Sequence, residues 1–137
     1  MTPGQIDIED AIARTIMTAR AGVPAIRNVN SAGMALNRVC LHGRQIRHIE
    51  TMRGRSLMDR VRTLIEYGLE DATKYRTPPA ESLRPVGKRR IVSTCLAVDT
   101  VRDIHLVAIG GQHPLTFAAA VRWLVDLGIK ADREGGT

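Results

Sequence analysis

Apolar positions in the first half of the chain recur every three or four residues, which is the spacing of one face of an α-helix. This spacing predicts a first helix over residues 6 to 20 and a second helix over residues 32 to 52. The apolar stripe of the second helix consists of Ala35, Val39, His42, Ile46 and Ile49. Gly54 follows, and a glycine at such a position commonly ends a helix in the left-handed conformation.

The strongest helical pattern belongs to a third helix, which is expected to begin at Ser56, a residue that can cap its first turn. Its apolar stripe consists of Leu57, Val61, Leu64, Ile65, Gly68, Leu69 and Ala72. Burial of such aliphatic side chains stabilises a fold by roughly 1.5–3 kcal/mol each before entropy is subtracted. Because two or three residues separate the second and third helices, the pair predicts a helical hairpin or a helix–turn–helix.

The chain changes character after a proline-rich loop at residues 74 to 88. Residues 90 to 98 and 104 to 110 are short runs rich in β-branched side chains. Such runs are typical of strands, and the segment between them, Asp99 to Asp103, is expected to form the turn. The pattern therefore predicts a β-hairpin.

A last helix is expected from Pro114 through Leu127, with Gly128 as its stop and a frayed tail over residues 130 to 137. Its polar residues are Thr116, Arg122 and Asp126. A helix that is apolar on most sides is buried on more than one face. This helix is therefore expected to lie in the core over the sheet or to form the interface of a homodimer.

Together these elements predict a single α+β domain of 137 residues, in which an N-terminal three-helix unit precedes a β-hairpin and a buried C-terminal helix. The helical part covers residues 5 to 73, the loop residues 74 to 88, and the hairpin with its helix residues 89 to 129. Helices followed by a two-stranded hairpin also allow a winged-helix-like arrangement. No internal repeat is apparent.

Composition narrows the class of protein. Apolar residues make up 44% of the chain, which is ordinary for a globular fold. The aromatic residues are Tyr67, Tyr75, Phe117 and Trp123. So few rings argue against a stacking platform for single-stranded nucleic acid. Cys40 and Cys95 are the only cysteines and form no CxxC motif. No segment resembles a signal peptide or reaches the ~18 apolar residues of a membrane span, so we expect a cytoplasmic protein with no membrane partner.

Positive charge is concentrated in two stretches of the chain. The net charge is +6, whereas residues 38 to 62 alone carry +5 and residues 81 to 90 carry +3. Most of these residues are arginines, which suit bidentate contacts with phosphate or carboxylate groups. Charge runs on solvated faces produce a similar pattern.

The two basic stretches favour a small nucleic-acid-binding or regulatory accessory protein that contacts the phosphate backbone. The candidate contact residues are Arg44, Arg47, Arg53, Arg55, Arg60, Arg62, Lys88, Arg89 and Arg90. The third helix has few side chains suited to reading bases, so low sequence specificity is expected. The alternative is a non-catalytic subunit whose arginines bind an acidic protein. The decisive question is whether folding brings both stretches onto one face.

A third hypothesis is a small enzyme with a ligand site at Gln112 and His113. These residues lie between a predicted strand and a predicted helix start, where anion sites and active sites form. A Gly-Gly turn with a polar capping side chain explains the same residues. Because the sequence contains no phosphate-loop or dinucleotide motif, a non-enzymatic protein without metal or cofactor is favoured.

Overall fold

Two β-strands and four α-helices make up the parts of the chain that the structure, a computed structural model, describes: residues 22–53, 56–72, 88–110 and 115–135. The elements are β1 (Met34–His42), α1 (Gly43–Thr51), α2 (Leu57–Ala72), β2 (Arg89–Ala97), α3 (Val98–Gly110) and α4 (Phe117–Gly135). The α+β class is confirmed, but the order of elements differs from the predicted three-helix unit and hairpin. The predicted first helix and most of the proline-rich loop lie outside the described residues.

The two strands pair in antiparallel register along their whole length and form a two-stranded sheet, hereafter the ribbon. Arg38 lies opposite Ser93 at its centre. Two strands alone are marginally stable in water, so the ribbon needs a layer beneath it. Its inward face packs against the helices through the buried side chains of Ala35, Val39, Leu41, Val92, Thr94 and Leu96.

The second helix predicted over residues 32 to 52 is wrong in its first half, which forms β1, and correct in its second half, which forms α1. Ala35 and Val39 are four residues apart, and a spacing of four fits one face of a strand as well as one face of a helix. The exposure of the residues between them shows which of the two spacings applies. Leu36 and Arg38 are exposed while Ala35 and Val39 are buried, which is the alternation of a strand.

The predicted β-hairpin is also wrong. Residues 90 to 98 overlap β2, but the residues after it form α3 instead of a turn and a second strand. Val101, Ile104 and Ala108 are buried at helical spacing. The partner of β2 is β1, which lies on the other side of α1 and α2 in the sequence. Burial against tertiary neighbours therefore overrides the local strand preference of residues 104 to 110.

The helices α2 and α4 approach each other at two glycines. A Cβ added at Gly68 would lie 2.7 Å from the carbonyl carbon of Leu124, and a Cβ added at Gly128 would lie 2.7 Å from that of Leu64. Only glycine allows backbones to come this close. The aliphatic core around the crossing includes the buried residues Val61, Leu64, Ile65, Val121, Leu124 and Val125.

Gly128 therefore belongs to the interior of α4, and the predicted stop at this residue is wrong. The helix continues to Gly135, so most of the predicted frayed tail over residues 130 to 137 is helical. The prediction that the last helix is buried on more than one face is confirmed. Every residue from Ala119 through Val125 is buried.

The structure contains an internal repeat, to which the reciprocal glycine contacts belong. The expectation that the chain has no internal repeat is therefore wrong. The segments β1–α1–α2 and β2–α3–α4 are two copies of one strand–helix–helix unit, and each contributes one strand to the ribbon. We call them the first and second halves. An approximate two-fold axis passes between Arg38 and Ser93, since each lies at the middle of its strand.

Sequence similarity between the halves becomes visible once their helices are aligned. Residues 61 to 70 read VRTLIEYGLE, and residues 121 to 130 read VRWLVDLGIK. The strands correspond at an offset of 55 residues (34 with 89), whereas these helices correspond at an offset of 60 (68 with 128). No single offset aligns both parts, because α3 is four residues longer than α1 and the segment that follows it is one residue longer.

Candidate nucleic-acid interface

The start of α1 lies against the start of β2, and this contact determines which charged residues come together. The side-chain carbonyl of Gln45 accepts a hydrogen bond from the His42 backbone amide at 2.9 Å, which fixes the turn from β1 into α1. A Cβ added at Gly43 would lie 3.1 Å from the carbonyl oxygen of Lys88, so the two backbones pass close to each other. The first turns of α1 therefore lie beside residues 88 to 90.

A surface groove of about 810 Å³ occupies this junction, hereafter the basic groove. It is lined by Gly43, Arg44, Ile46, Arg47, Glu50, Lys88, Arg89 and Arg90. Its arginines come from both basic stretches of the sequence, which lie far apart along the chain. Folding therefore places part of each stretch on one surface, at the end of the ribbon where β1 finishes and β2 begins.

Two arginines of the basic groove have acidic partners. Arg44 makes a bidentate pair with Asp126 of α4, with N–O distances of 2.8 and 3.0 Å. Arg90 lies 3.9 Å from Glu50, and both side chains are more than half exposed. Such exposed pairs are screened by water and contribute little to stability.

The remaining three basic residues of the groove carry their charge into solvent. Arg47, Lys88 and Arg89 are exposed, and no ion pair joins them to a carboxylate in the part of the chain that the structure describes. Holding several like charges together costs free energy through mutual repulsion. A polyanion bound in the groove would relieve that repulsion.

The other arginines predicted as contacts do not line this groove. Arg60 donates to the carbonyl oxygen of Ile49 at 3.3 Å, and Arg62 pairs with Asp59 at 3.0 Å, so both are engaged in local structure. Arg53 is exposed between α1 and α2. Arg55 lies outside the described residues, as do the predicted ligand residues Gln112 and His113.

The outward face of the ribbon is the part of the surface that sequence reasoning missed. It carries the cross-strand pairs Leu36–Cys95, Arg38–Ser93 and Cys40–Ile91. Leu36 is 49% exposed and Ile91 is 69% exposed, so both side chains present apolar surface to solvent on this face. Apolar and polar residues do not alternate strictly over residues 34 to 42, so the sequence carries no clear signal for this face.

The apolar last helix is buried within its own chain, and the expected homodimer stays a prediction. The face of α4 that contains Val121, Leu124 and Val125 packs on α2 of the same chain. This apolar face is therefore covered within one chain.

Neither a metal-ligand group nor a membrane-spanning helix is present in the described ranges. No group of three or more His, Cys, Asp or Glu side chains there is placed to hold a metal ion. None of the four described helices is long and apolar enough to cross a bilayer. Burial lowers the pKa of His105, whose ring packs on Phe117 with centroids 4.7 Å apart, so this histidine is a packing residue.

Comparison of the chain with protein-family models, with curated proteins and with solved structures gave no match.

Proposed function

We propose that the protein binds duplex DNA by placing the outward face of the ribbon in the major groove and the basic groove on the adjacent phosphate backbone. The observation that carries the proposal is the position of the basic groove. Three exposed cations, Arg47, Lys88 and Arg89, stand at one end of an outward-facing two-stranded sheet.

The dimensions of the ribbon suit this role. A two-stranded antiparallel ribbon is one of the two elements that the major groove, about 12 Å wide, admits. Neighbouring strands lie about 4.8 Å apart, so two strands with their side chains fit within that width. Each strand of the ribbon has nine residues, or about 30 Å at the usual rise, which is close to one turn of the duplex.

The outward side chains match what base edges present. Arg38 can donate two hydrogen bonds to the O6 and N7 atoms of a guanine, and Ser93 beside it can pair with several bases. Leu36 and Ile91 are suited to the methyl groups of thymines. Their exposure in the free protein is consistent with a face that becomes covered on binding.

Contacts between the basic groove and phosphates would supply most of the affinity and make it dependent on salt. Each phosphate neutralised by a cation changes the slope of log K against log salt by about −0.9. Arg47, Lys88 and Arg89 are the best placed to do this because no carboxylate in the described ranges forms an ion pair with them. Arg44 is held by Asp126 and contributes less.

Fluorescence anisotropy with a labelled duplex of about 20 bp, repeated over a salt series from about 50 mM, tests the proposal. We expect wild type to bind duplex more tightly than single strands, with a negative salt slope. The double variant R47Q/R89Q should lose roughly two units of that slope. The matched control R62Q/R133Q removes the same charge outside the basic groove and should keep it.

Two outcomes would overturn the proposal. Absence of duplex binding at about 50 mM salt would leave an acidic protein as the better candidate partner of the arginines. Equal loss of slope in R62Q/R133Q and R47Q/R89Q would mean that binding depends on total charge and not on the basic groove.

A further inference from the structure

The two strands of the ribbon belong to one chain, so the side chains that the two halves present need not be the same. With an offset of 55, Leu36 corresponds to Ile91, and Cys40 corresponds to Cys95. These pairs are alike, and they lie on both sides of the axis. At the axis itself Arg38 corresponds to Ser93, so the centre of the outward face is unequal.

The two ends of the ribbon differ more strongly. The end with the basic groove has five basic residues and Glu50. In the second half, the residues equivalent to Arg44 and Arg47 are Asp99 and Arg102, which pair with each other at 3.3 Å. The residues equivalent to Lys88, Arg89 and Arg90 are Gly33, Met34 and Ala35. A cluster of cations therefore stands at one end of the ribbon and has no counterpart at these positions of the other.

The chain also supplies both halves of its own core. The inner faces of α2 and α4 cover each other at Gly68 and Gly128, and both strands of the ribbon are paired within the chain. A protein that must dimerise to build such a ribbon has two identical halves and favours a palindromic site. This chain has no such requirement.

We infer that a single chain recognises a non-palindromic duplex sequence in one fixed orientation. Arg38 reads a guanine on one side of the centre of the site. The aliphatic residues Leu36 and Ile91 contact thymine-containing steps on both sides of it. Phosphate contacts are concentrated on the flank that the basic groove covers. This inference rests on the proposed DNA binding and specifies the class of site.

Selection of binding sites by the full-length chain from duplexes with a randomised centre tests the inference. We expect a consensus without an inverted repeat, one chain per duplex by light scattering, and protection of phosphates on one flank by ethylation interference. An inverted-repeat consensus, or two chains per site, would overturn the inference while leaving DNA binding intact. Duplex binding without enrichment of any sequence would overturn the inference alone, whereas absence of binding to every duplex in the pool would overturn the proposed function as well.

Exchange of the two central residues gives a second test that does not alter the core, because Arg38 and Ser93 are both exposed. In R38S/S93R we expect the guanine preference to move to the opposite strand, while phosphate protection stays on the original flank. Replacement of the preferred guanine should weaken wild-type binding by roughly ten-fold or more. The control S93A should keep the wild-type strand preference. An unchanged preference in R38S/S93R would show that Arg38 does not set the orientation.

Discussion

Substitution of Gly68 by alanine should separate α2 from α4, because the added methyl group meets backbone and not a movable side chain. The new Cβ would lie 2.7 Å from the carbonyl carbon of Leu124, whereas carbon atoms in ordinary contact are about 3.5–4.0 Å apart. The two helices must therefore move apart by about 1 Å. A gap of that size removes a quarter to a half of the attraction across the affected contacts.

The cost can be worked from the core side chains at this crossing. Val61, Leu64, Ile65, Leu124 and Val125 are all buried there, and each contributes roughly 1.5–3 kcal/mol. Loss of about a quarter of this total burial energy costs about 3 kcal/mol, and the higher helix propensity of alanine offsets about 1 kcal/mol of that cost. We expect a net destabilisation of about 2 kcal/mol, within the range of about 1–3 kcal/mol for overpacked cores.

Urea denaturation followed by circular dichroism measures this change as a shift in the midpoint. With an m-value of about 2 kcal/mol per molar, Gly68→Ala should lower the midpoint by about 1 M. By the internal repeat, Gly128→Ala should do the same. Gly110→Ala is the control, since a Cβ at that position meets nothing within 4 Å. A midpoint for Gly68→Ala equal to that of the control would refute the backbone contact between α2 and α4.

Three further predictions concern single contacts. Thr94→Val should lower the free energy of unfolding in urea by about 1 kcal/mol, because the buried hydroxyl donates to the Met58 carbonyl oxygen at 3.0 Å. An unchanged free energy of unfolding would mean that this hydrogen bond does not form. A double-mutant cycle of Arg44 and Asp126 to alanine should give a coupling of about 0.5–1 kcal/mol, reduced by 1 M salt, whereas zero coupling would contradict the bidentate pair. Because burial lowers the pKa of His105 below 6.5, the unfolded chain binds this proton more tightly, so stability falls as pH drops below about 6.5. His105→Leu should flatten that dependence in denaturation curves between pH 5 and 8, and a slope unchanged from wild type would contradict the assignment.

The third predicted helix could be recognised in the sequence because its apolar residues lie on one face. The third helix, expected to begin at Ser56, is observed from Leu57 to Ala72, and its buried residues follow the predicted stripe. Such a pattern is local, and the physical cause of the helix is contained in the segment itself.

The ribbon could not be predicted in the same way because its two strands are far apart in sequence. The four-residue spacing of the buried residues in β1 fits a helix as well as a strand, so β1 was predicted as part of a helix. Its partner β2 was predicted to form a hairpin with the next apolar segment. A strand between residues 34 and 42 becomes recognisable only when the exposure of Leu36 and Arg38 is known. Pairing between strands so far apart in sequence is determined by the tertiary fold and cannot be inferred from a short segment of the chain.

Five of the nine predicted contact residues, Arg44, Arg47 and Lys88 to Arg90, lie together in the basic groove, whereas their role in binding stays a prediction. Arg60 and Arg62 were predicted as contacts too, but they make local contacts within the fold. Charge alone cannot separate these groups, because the distinction depends on which carboxylates and carbonyls lie nearby after folding.

Contact between the outward face of the ribbon and duplex DNA can be tested through the two cysteines of the chain, Cys40 and Cys95. Cys40 and Cys95 are both partly exposed, and they lie on that face at equivalent positions of the two halves. The rate at which a thiol reagent modifies them should be measured with and without saturating duplex. We expect duplex to slow both reactions about ten-fold or more, and high salt to restore them as the complex dissociates. Duplex that binds while both thiols react at the free rate would contradict it.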